Sequence, residues 1–209
     1  PIPRRWDTHY LLSRNTALPQ SPFSSHIHTL WLTTPDDPAY PLLLQIAQEQ
    51  GLDDAWCREQ LTAGDPCILA IADGKAVGMG LVTRRVFWIE EILHEFVPGP
   101  DGCYFYSTYV SPPYRGRRIQ GLLDTRRLHW ASAQNLRWCY ALVEHPNTPS
   151  LRAHYRVGFR PAARIDRLRL RRLSLFHIRQ LTATVSSARL THTGFPRSSS
   201  IHIIRNPGP

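Results

Sequence analysis

The chain has 209 residues, 42% of them hydrophobic, and a formal net charge of +9. That length suits one domain with a substantial core, with or without arms, and the apolar share is ordinary for a water-soluble globular protein. No apolar run approaches a membrane span, no leader is visible from Pro1 onward, and the cysteines have neither C-x-x-C nor zinc-finger spacing, which argues against a membrane protein, a disulfide scaffold and a metal site.

The four cysteines, Cys57, Cys67, Cys103 and Cys139, sit in apolar, strand-like settings and read as buried free thiols. A reducing cytoplasm fits them. The positive charge is uneven: Asp166 is the last acid, and eight arginines with no carboxylate follow it. The basic character therefore belongs to the C-terminal end rather than to the body.

Residues 1–26 are rich in Pro, Ser and Arg and read as an extended arm with one strand around Tyr10-Leu11-Leu12. Residues 28–33 read as the first strand of the body. Leu42, Leu43, Leu44, Ile46 and Ala47 predict a helix to about Gln50, ended by Gly51. Asp53-Asp54 predicts the cap of a second helix that buries Trp56 and Leu61 and ends near Gly64. Residues 67–72 read as a buried strand, and Asp73-Gly74 as a hairpin turn. Residues 76–88 form the returning strand, followed by a polar and apolar mixture holding Glu90, Glu91, His94 and Glu95. Residues 98–102 are a loop.

Residues 104–123, YFYSTYVSPPYRGRRIQGLL, organise the rest. Tyr104, Phe105, Tyr106, Thr108, Tyr109 and Val110 are aromatic or β-branched and predict a strand. Pro112 and Pro113 stop it. A basic turn, Arg115-Gly116-Arg117-Arg118, leads into a helix with Ile119, Leu122 and Leu123 on one face. Strand, basic loop and helix N-terminus in this order favour an anion, because free N–H groups and the positive end of the helix dipole face the loop. The helix runs to about Gln134 and stops at Asn135. Residues 138–143 are another apolar strand, and Glu144-His145-Pro146 leads into a helix from about Pro149 to Val157, closed by Gly158. Residues 159–174 predict a strand with one polar face. Residues 175–178 and 201–204 are further strand candidates, and 186–187 and 197–200 read as loops. No internal repeat is visible. Hairpins followed by strand, helix, strand, helix and strand predict a mixed α/β sheet with helices on both faces.

Two stretches together resemble the GNAT superfamily of N-acyltransferases. Val110, Pro112, Arg115, Gly116 and Ile119 match its V-x-P-x-x-R-G-x-G-x-G pattern. Asn147, Ser150, Gly158 and Phe159 match its N-x-x-[AS]-x-x-x-Y-x-x-x-G-F pattern at the right spacing. The resemblance covers residues 27–174. It implies an α+β, GNAT-like domain over that range, between an N-terminal arm at 1–26 and a basic C-terminal extension at 175–209.

The resemblance implies that acyl-CoA, most simply acetyl-CoA, is the cosubstrate and that an amine is the acceptor. It implies a donor site formed by Thr108, Tyr109, Val110, Arg115, Gly116, Arg117, Arg118, Ile119, Gln120, Asn147 and Ser150. Arg118 and Gln120 stand where the family pattern has glycines, and a helical φ at Arg118 is one way to keep the turn. The departure leaves room for another acyl-phosphopantetheine donor on an acidic carrier protein, which the arginine-rich end also suits. A third reading is a non-catalytic domain that binds an acidic partner. Nucleic acid is disfavoured, since the tail lacks the aromatic and basic interleaving of stacking platforms. A homodimer stays open.

Attack on a thioester needs a base for the ammonium, donors for the oxyanion and an acid for the thiolate. The family's acid, a tyrosine four residues before Gly-Phe, falls on His154, with Tyr155 one place along. For the base, Glu91 is carried forward, beside Glu90, Glu144 and His145. Strand alternation puts Tyr104 and Tyr106 on one face as candidate pocket lining and Tyr109 on the other.

Overall fold

The computed structural model describes residues 5–17, 27–170, 173–182, 188–190 and 199–205. In chain order these form β1 (Arg5–Asn15), β2 (His28–Leu32), α1 (Tyr40–Glu49), α2 (Asp54–Thr62), β3 (Cys67–Ala72), β4 (Lys75–Thr83), β5 (Phe87–Ile89), β6 (His94–Val97) and β7 (Gly102–Val110). A 3-10 turn (Pro112–Tyr114) then precedes α3 (Ile119–Ala133), β8 (Trp138–Glu144), α4 (Thr148–Arg156), β9 (Arg160–Leu170), β10 (Leu173–Gln180), β11 (Arg189–Leu190) and β12 (Ser199–Arg205).

Local signals explain the element ends. Asp53 caps α2, its carboxylate accepting from the Trp56 N–H at 2.8 Å. The β3–β4 turn puts Asp73 at φ 50 and Gly74 at φ 74, both left-handed, which matches the twist of a tight hairpin. Trp56, expected inside, is only half-buried, whereas Leu61 is buried.

Nine strands form one mixed sheet in the order β12-β10-β9-β1-β8-β7-β4-β3-β2. Among the described strand pairs only β7 and β8 run parallel. Helices cover both faces, as expected. Alternate residues feed two cores, so Tyr104, Tyr106, Leu81 and Leu11 pack with Leu43 and Ile46 of α1 and Leu61 of α2. Phe105, Val82, Cys103 and Leu12 pack with Leu128 of α3 and Leu151 of α4 on the opposite face. A small sheet, β11-β6-β5, joins α1 and α2 on their side through Ile89, Phe96 and Leu190.

Both ends differ from expectation. The stretch read as an N-terminal arm supplies β1, which is inserted between β8 and β9 and pairs with both along its length. Its Leu11 and Leu12 are fully buried on opposite faces, so a short apolar piece in a polar context is here a central strand. The stretch read as a basic extension begins inside the sheet: β10 pairs with β9 and β12, and Phe176 and Ile178 are fully buried in the core beneath β6. The loop expected at 197–200 in part opens β12 at Ser199 and Ser200; its other residues, and 186–187, lie outside the described residues. The returning strand expected to Trp88 ends at Thr83, and Phe87–Ile89 belongs to the small sheet.

All four cysteines are buried free thiols. Cys103 and Cys139 face one another across the parallel pair at 3.6 Å. Burial pushes the Cys57 thiol up to about 11 and Cys67 to about 12, which keeps both protonated and unreactive at neutral pH.

Candidate functional site

The site begins where β7 leaves its parallel neighbour. Pairing with β8 ends at Phe105 and Ala141, and the strands part beyond it. On its other edge β7 carries a bulge: the register passes from Leu81 opposite Tyr106 to Met79 opposite Tyr109, so Ser107 and Thr108 together face Gly80. Ser107 holds a left-handed φ of 45. The extra residue reverses the alternation of side chains. Tyr109 therefore packs on the same core as Tyr104 and Tyr106, not on the opposite face as simple alternation predicted. Thr108 and Val110 turn toward α3.

Two clefts open at this splay. The first holds about 590 Å³ and lies between β7 and the N-termini of α3 and α4. Thr108, Tyr109, Val110, Gly116, Ile119, Gln120, Asn147 and Ser150 line it with Arg115, Arg118, Arg152 and Arg156, and among the described residues no carboxylate does. No side chain caps the N-terminus of α3, and its first turn holds no acid, so its N–H groups face the cleft. Arg118 stands at the cap with a φ of 62. A helical φ was one way for it to keep the turn; instead it adopts a left-handed geometry, which glycine tolerates and which costs an L-residue about 1–2 kcal/mol. Gly116 has a φ of 77 and no atom within 4 Å of where its Cβ would stand, so the turn is open on the cleft side.

Several expected contacts are already engaged within the protein. The Arg115 guanidinium donates to the Val110 carbonyl at 3.0 Å. Arg117 lies over the Tyr114 ring at 5.0 Å and is not among the lining residues. Asn147 caps α4, its side-chain oxygen accepting from the Ser150 N–H at 3.2 Å. The Gln120 amide donates to the Ser150 hydroxyl at 2.9 Å, bridging the two helix N-termini.

The second cleft, also about 590 Å³, lies on the α1 and α2 side. Trp56, Phe87, Trp88, Tyr104 and Tyr106 supply aromatic walls, Glu90, Glu91 and Glu144 supply carboxylates, and among the described residues no arginine or lysine lines it. His9 and His154 complete it. Thr108, Asn147 and Ser150 belong to both clefts, so the two meet at the splay.

Beneath the junction lies a buried charged group that the sequence reading missed. Asp124, Arg127 and His154 are all excluded from solvent. Arg127 donates to Asp124, to the Thr108 hydroxyl at 2.8 Å and to the Leu81 carbonyl at 3.1 Å, and lies over the Phe105 ring. Gly80 makes the room, since a Cβ there would stand 2.8 Å from the guanidinium. Burial pushes the Asp124 carboxyl up, but the charges of His154 and Arg127 overcome it and hold the group below the ordinary carboxylate range. The i, i+3 spacing of Asp124 and Arg127 was visible, but so short a pair on a helix reads first as a surface ion pair.

Of the residues expected to carry proton transfer, Glu91 is exposed at the second cleft. His154 is 3% exposed at its base, with Nε2 3.4 Å from the Gln120 amide nitrogen. Tyr155 is 36% exposed and lines neither cleft. His9, absent from the sequence reading, lines the second cleft because β1 is central.

A family model described as the acetyltransferase (GNAT) family matches residues 26–159. No curated protein is significantly similar to the sequence. Among solved structures, a protein from Novosphingobium aromaticivorans described as a GNAT-family acetyltransferase is 16% identical, with a TM-score of 0.56, over 87% of this chain and 68% of its own. A GNAT-family acetyltransferase from Colwellia psychrerythraea is 16% identical, TM-score 0.57, over 81% of this chain and 57% of its own. The aminoglycoside N-acetyltransferase AAC(6')-Iy, in complex with the bisubstrate analogue CoA-S-monomethyl-acetylneamine, is 20% identical, TM-score 0.53, over 65% of this chain and 92% of its own. At these identities the likeness carries the fold alone.

Proposed function

The chain belongs to the GNAT family of acetyltransferases, and from that premise we propose that it transfers an acyl group, acetyl in the simplest case, from acyl-CoA to a cationic amine by direct attack on the thioester. The observation that carries this reading is the separation of charge between two clefts that meet at one point. The first is lined by arginines and an uncapped helix N-terminus, the second by carboxylates and aromatic rings. An anionic donor and a cationic acceptor would enter from opposite sides and meet beside Thr108, Asn147 and Ser150.

The donor set fits a pyrophosphate-bearing thioester. Free N–H groups at the start of α3, with Arg115, Arg118 and Arg152, would hold the phosphates through charge-assisted hydrogen bonds. The open edge of β7 from Thr108 to Val110 would take the pantetheine arm once Arg115 releases the Val110 carbonyl. Bound acyl-CoA supplies an activated acyl carbon. At that carbon, His154 is the acid that serves the departing sulfur, oriented by Asp124. Glu91, Glu90 and Glu144 attract the ammonium. The aminoglycoside acceptor of AAC(6')-Iy is one instance of the amine class this reading assigns.

The cationic rim is solvent-exposed at Arg115, Arg117, Arg118, Arg152 and Arg156, which supports a second reading in which the phosphopantetheine arrives on an acidic carrier protein. A thermal-shift titration with acetyl-CoA, then incubation with labelled acetyl-CoA and a panel of amines read by mass spectrometry, tests the proposal. Acetylated amine is expected. No shift with acetyl-CoA but transfer from an acyl carrier protein selects the second reading, and neither shift nor transfer removes both.

A further inference from the structure

Resting on the acyltransfer reading, we propose that His9 is the general base that takes the proton from the acceptor ammonium, a role supplied by a strand outside the residues that match the family. Four observations converge. His9 lines the aromatic and acidic cleft. It is 2% exposed, and its Nδ1 is buried without a hydrogen-bond partner. It sits opposite Glu144 in the β1–β8 register, just past the point where β8 leaves β7. It shares the face of β1 with Leu11, which puts it on the same core as Tyr104 and Tyr106.

An unsatisfied buried nitrogen costs free energy unless a ligand completes it. In the tautomer that carries its proton on Nε2, Nδ1 is an acceptor, and an ammonium is a donor that would complete it. Burial lowers the pKa of the imidazole, which keeps it neutral and proton-accepting at neutral pH. The groups facing it make protonation tolerable once an amine is bound: Glu144 on β8, Glu91 after β5 and Asp7 on β1 favour the imidazolium, and Arg167 on β9 opposes it. This leaves exposed Glu91 the role of attracting the cation and His9 that of deprotonating it.

The step balances as follows. The ammonium gives one proton to His9 and becomes a neutral amine. The amine lone pair forms the C–N bond at the thioester carbonyl. The C–S bond then breaks, its electron pair leaving on sulfur, which takes a proton from His154 to become the thiol. The nitrogen gives its second proton to water to become the amide, His154 is reprotonated from solvent, and His9 returns its proton to solvent.

The first measurement needs no turnover. In carbon-detected NMR of the histidine rings, the signal lost in His9→Gln identifies His9. Its midpoint should lie below the ordinary value of about 6.5 and should move on adding spermidine or 2-phenylethylamine. A midpoint at or above 6.5, or a ring indifferent to both amines, overturns the proposal. The second measurement uses acetyl-CoA with the same amines. His9→Gln should lower kcat about a hundredfold or more with the KM for acetyl-CoA unchanged, and added imidazole should restore part of the rate to His9→Ala. Transfer by the wild-type protein and His9→Gln at equal rates refutes the role of His9 alone. Wild-type protein that acetylates no amine of a wide panel refutes the acyltransfer reading, and the base with it.

Discussion

The Nδ1 atom of His154 lies 3.1 Å from Oδ2 of Asp124, with neither group open to solvent. The approach is an ion-pair distance rather than a well-aligned hydrogen bond, and Arg127 holds the other carboxylate oxygen. The carboxyl pKa is depressed in the fold. Its contribution to stability is therefore present above the unfolded value, about 3.9, and lost as pH falls through the folded value. Urea melts should show wild-type stability declining below about pH 4. Asp124→Asn should cost about 3–5 kcal/mol at pH 7, because it leaves the buried Arg127 guanidinium without its counter-charge, and its acid decline should be shallower. A variant as stable as wild type at pH 7 would show that the three groups are not energetically coupled.

Where one ring position carries catalysis, neighbouring substitutions separate. His154→Ala should lower kcat about a hundredfold with little change in the KM for acetyl-CoA, because leaving-group protonation develops only in the transition state. Tyr155→Phe should stay within about twofold of wild type, since its side chain lines neither cleft. The reverse pattern would move the acid to Tyr155, and near-wild-type rates in both would leave the thiolate to depart by way of water.

The turn before α3 offers opposite signs at two positions. Arg118→Gly relieves a left-handed L-residue and should raise the melting temperature by a few degrees, corresponding to about 1 kcal/mol. Gly116→Asp meets nothing within 4 Å at its Cβ and should keep the fold at the cost of about 1–2 kcal/mol of left-handed strain at a φ of 77, but should weaken acetyl-CoA binding at least tenfold by placing a carboxylate where phosphate is expected. Unchanged acetyl-CoA affinity in folded Gly116→Asp would remove the donor site from this turn.

Truncation after Ser174 should abolish cooperative unfolding. It deletes the strand that pairs with β9 and removes Phe176 and Ile178, each worth about 1.5–3 kcal/mol of burial. Phe176→Ala alone should cost about 3–5 kcal/mol in urea melts. A truncated chain that still melts cooperatively would restore the view of residues 175–209 as an appendage.

The body of the fold was legible because its signals are local. Asp53 capping α2, Asp73-Gly74 turning β3 into β4, and the prolines ending β7 each act within a few residues. The arginine-lined cleft was legible as a surface for the same reason, since strand, turn and helix are contiguous. The acidic and aromatic cleft was not. His9 enters it only because β1 lies between β8 and β9, a pairing no local pattern encodes. Tyr109 changed face because one extra residue at Ser107 and Thr108 rephased the strand, and a bulge on a non-glycine residue leaves no mark in alternation. Arg127 looked like an ordinary helix-surface charge until Gly80, far away in sequence, gave it a place to be buried.

The position of β1 also sets an order of assembly. Both of its partners, β8 (Trp138–Glu144) and β9 (Arg160–Leu170), are made long after it, so on the ribosome β1 has no mate until they emerge. Its closure joins residues 5–15 to residues 138–169 through contacts of long sequence separation, the kind that form slowly. Until then Leu11 and Leu12 stay uncovered on a strand with two open edges, a state prone to pairing with the wrong chain. The strand that brings His9 to the cleft is thus paired only after the strands on both sides of it have been made.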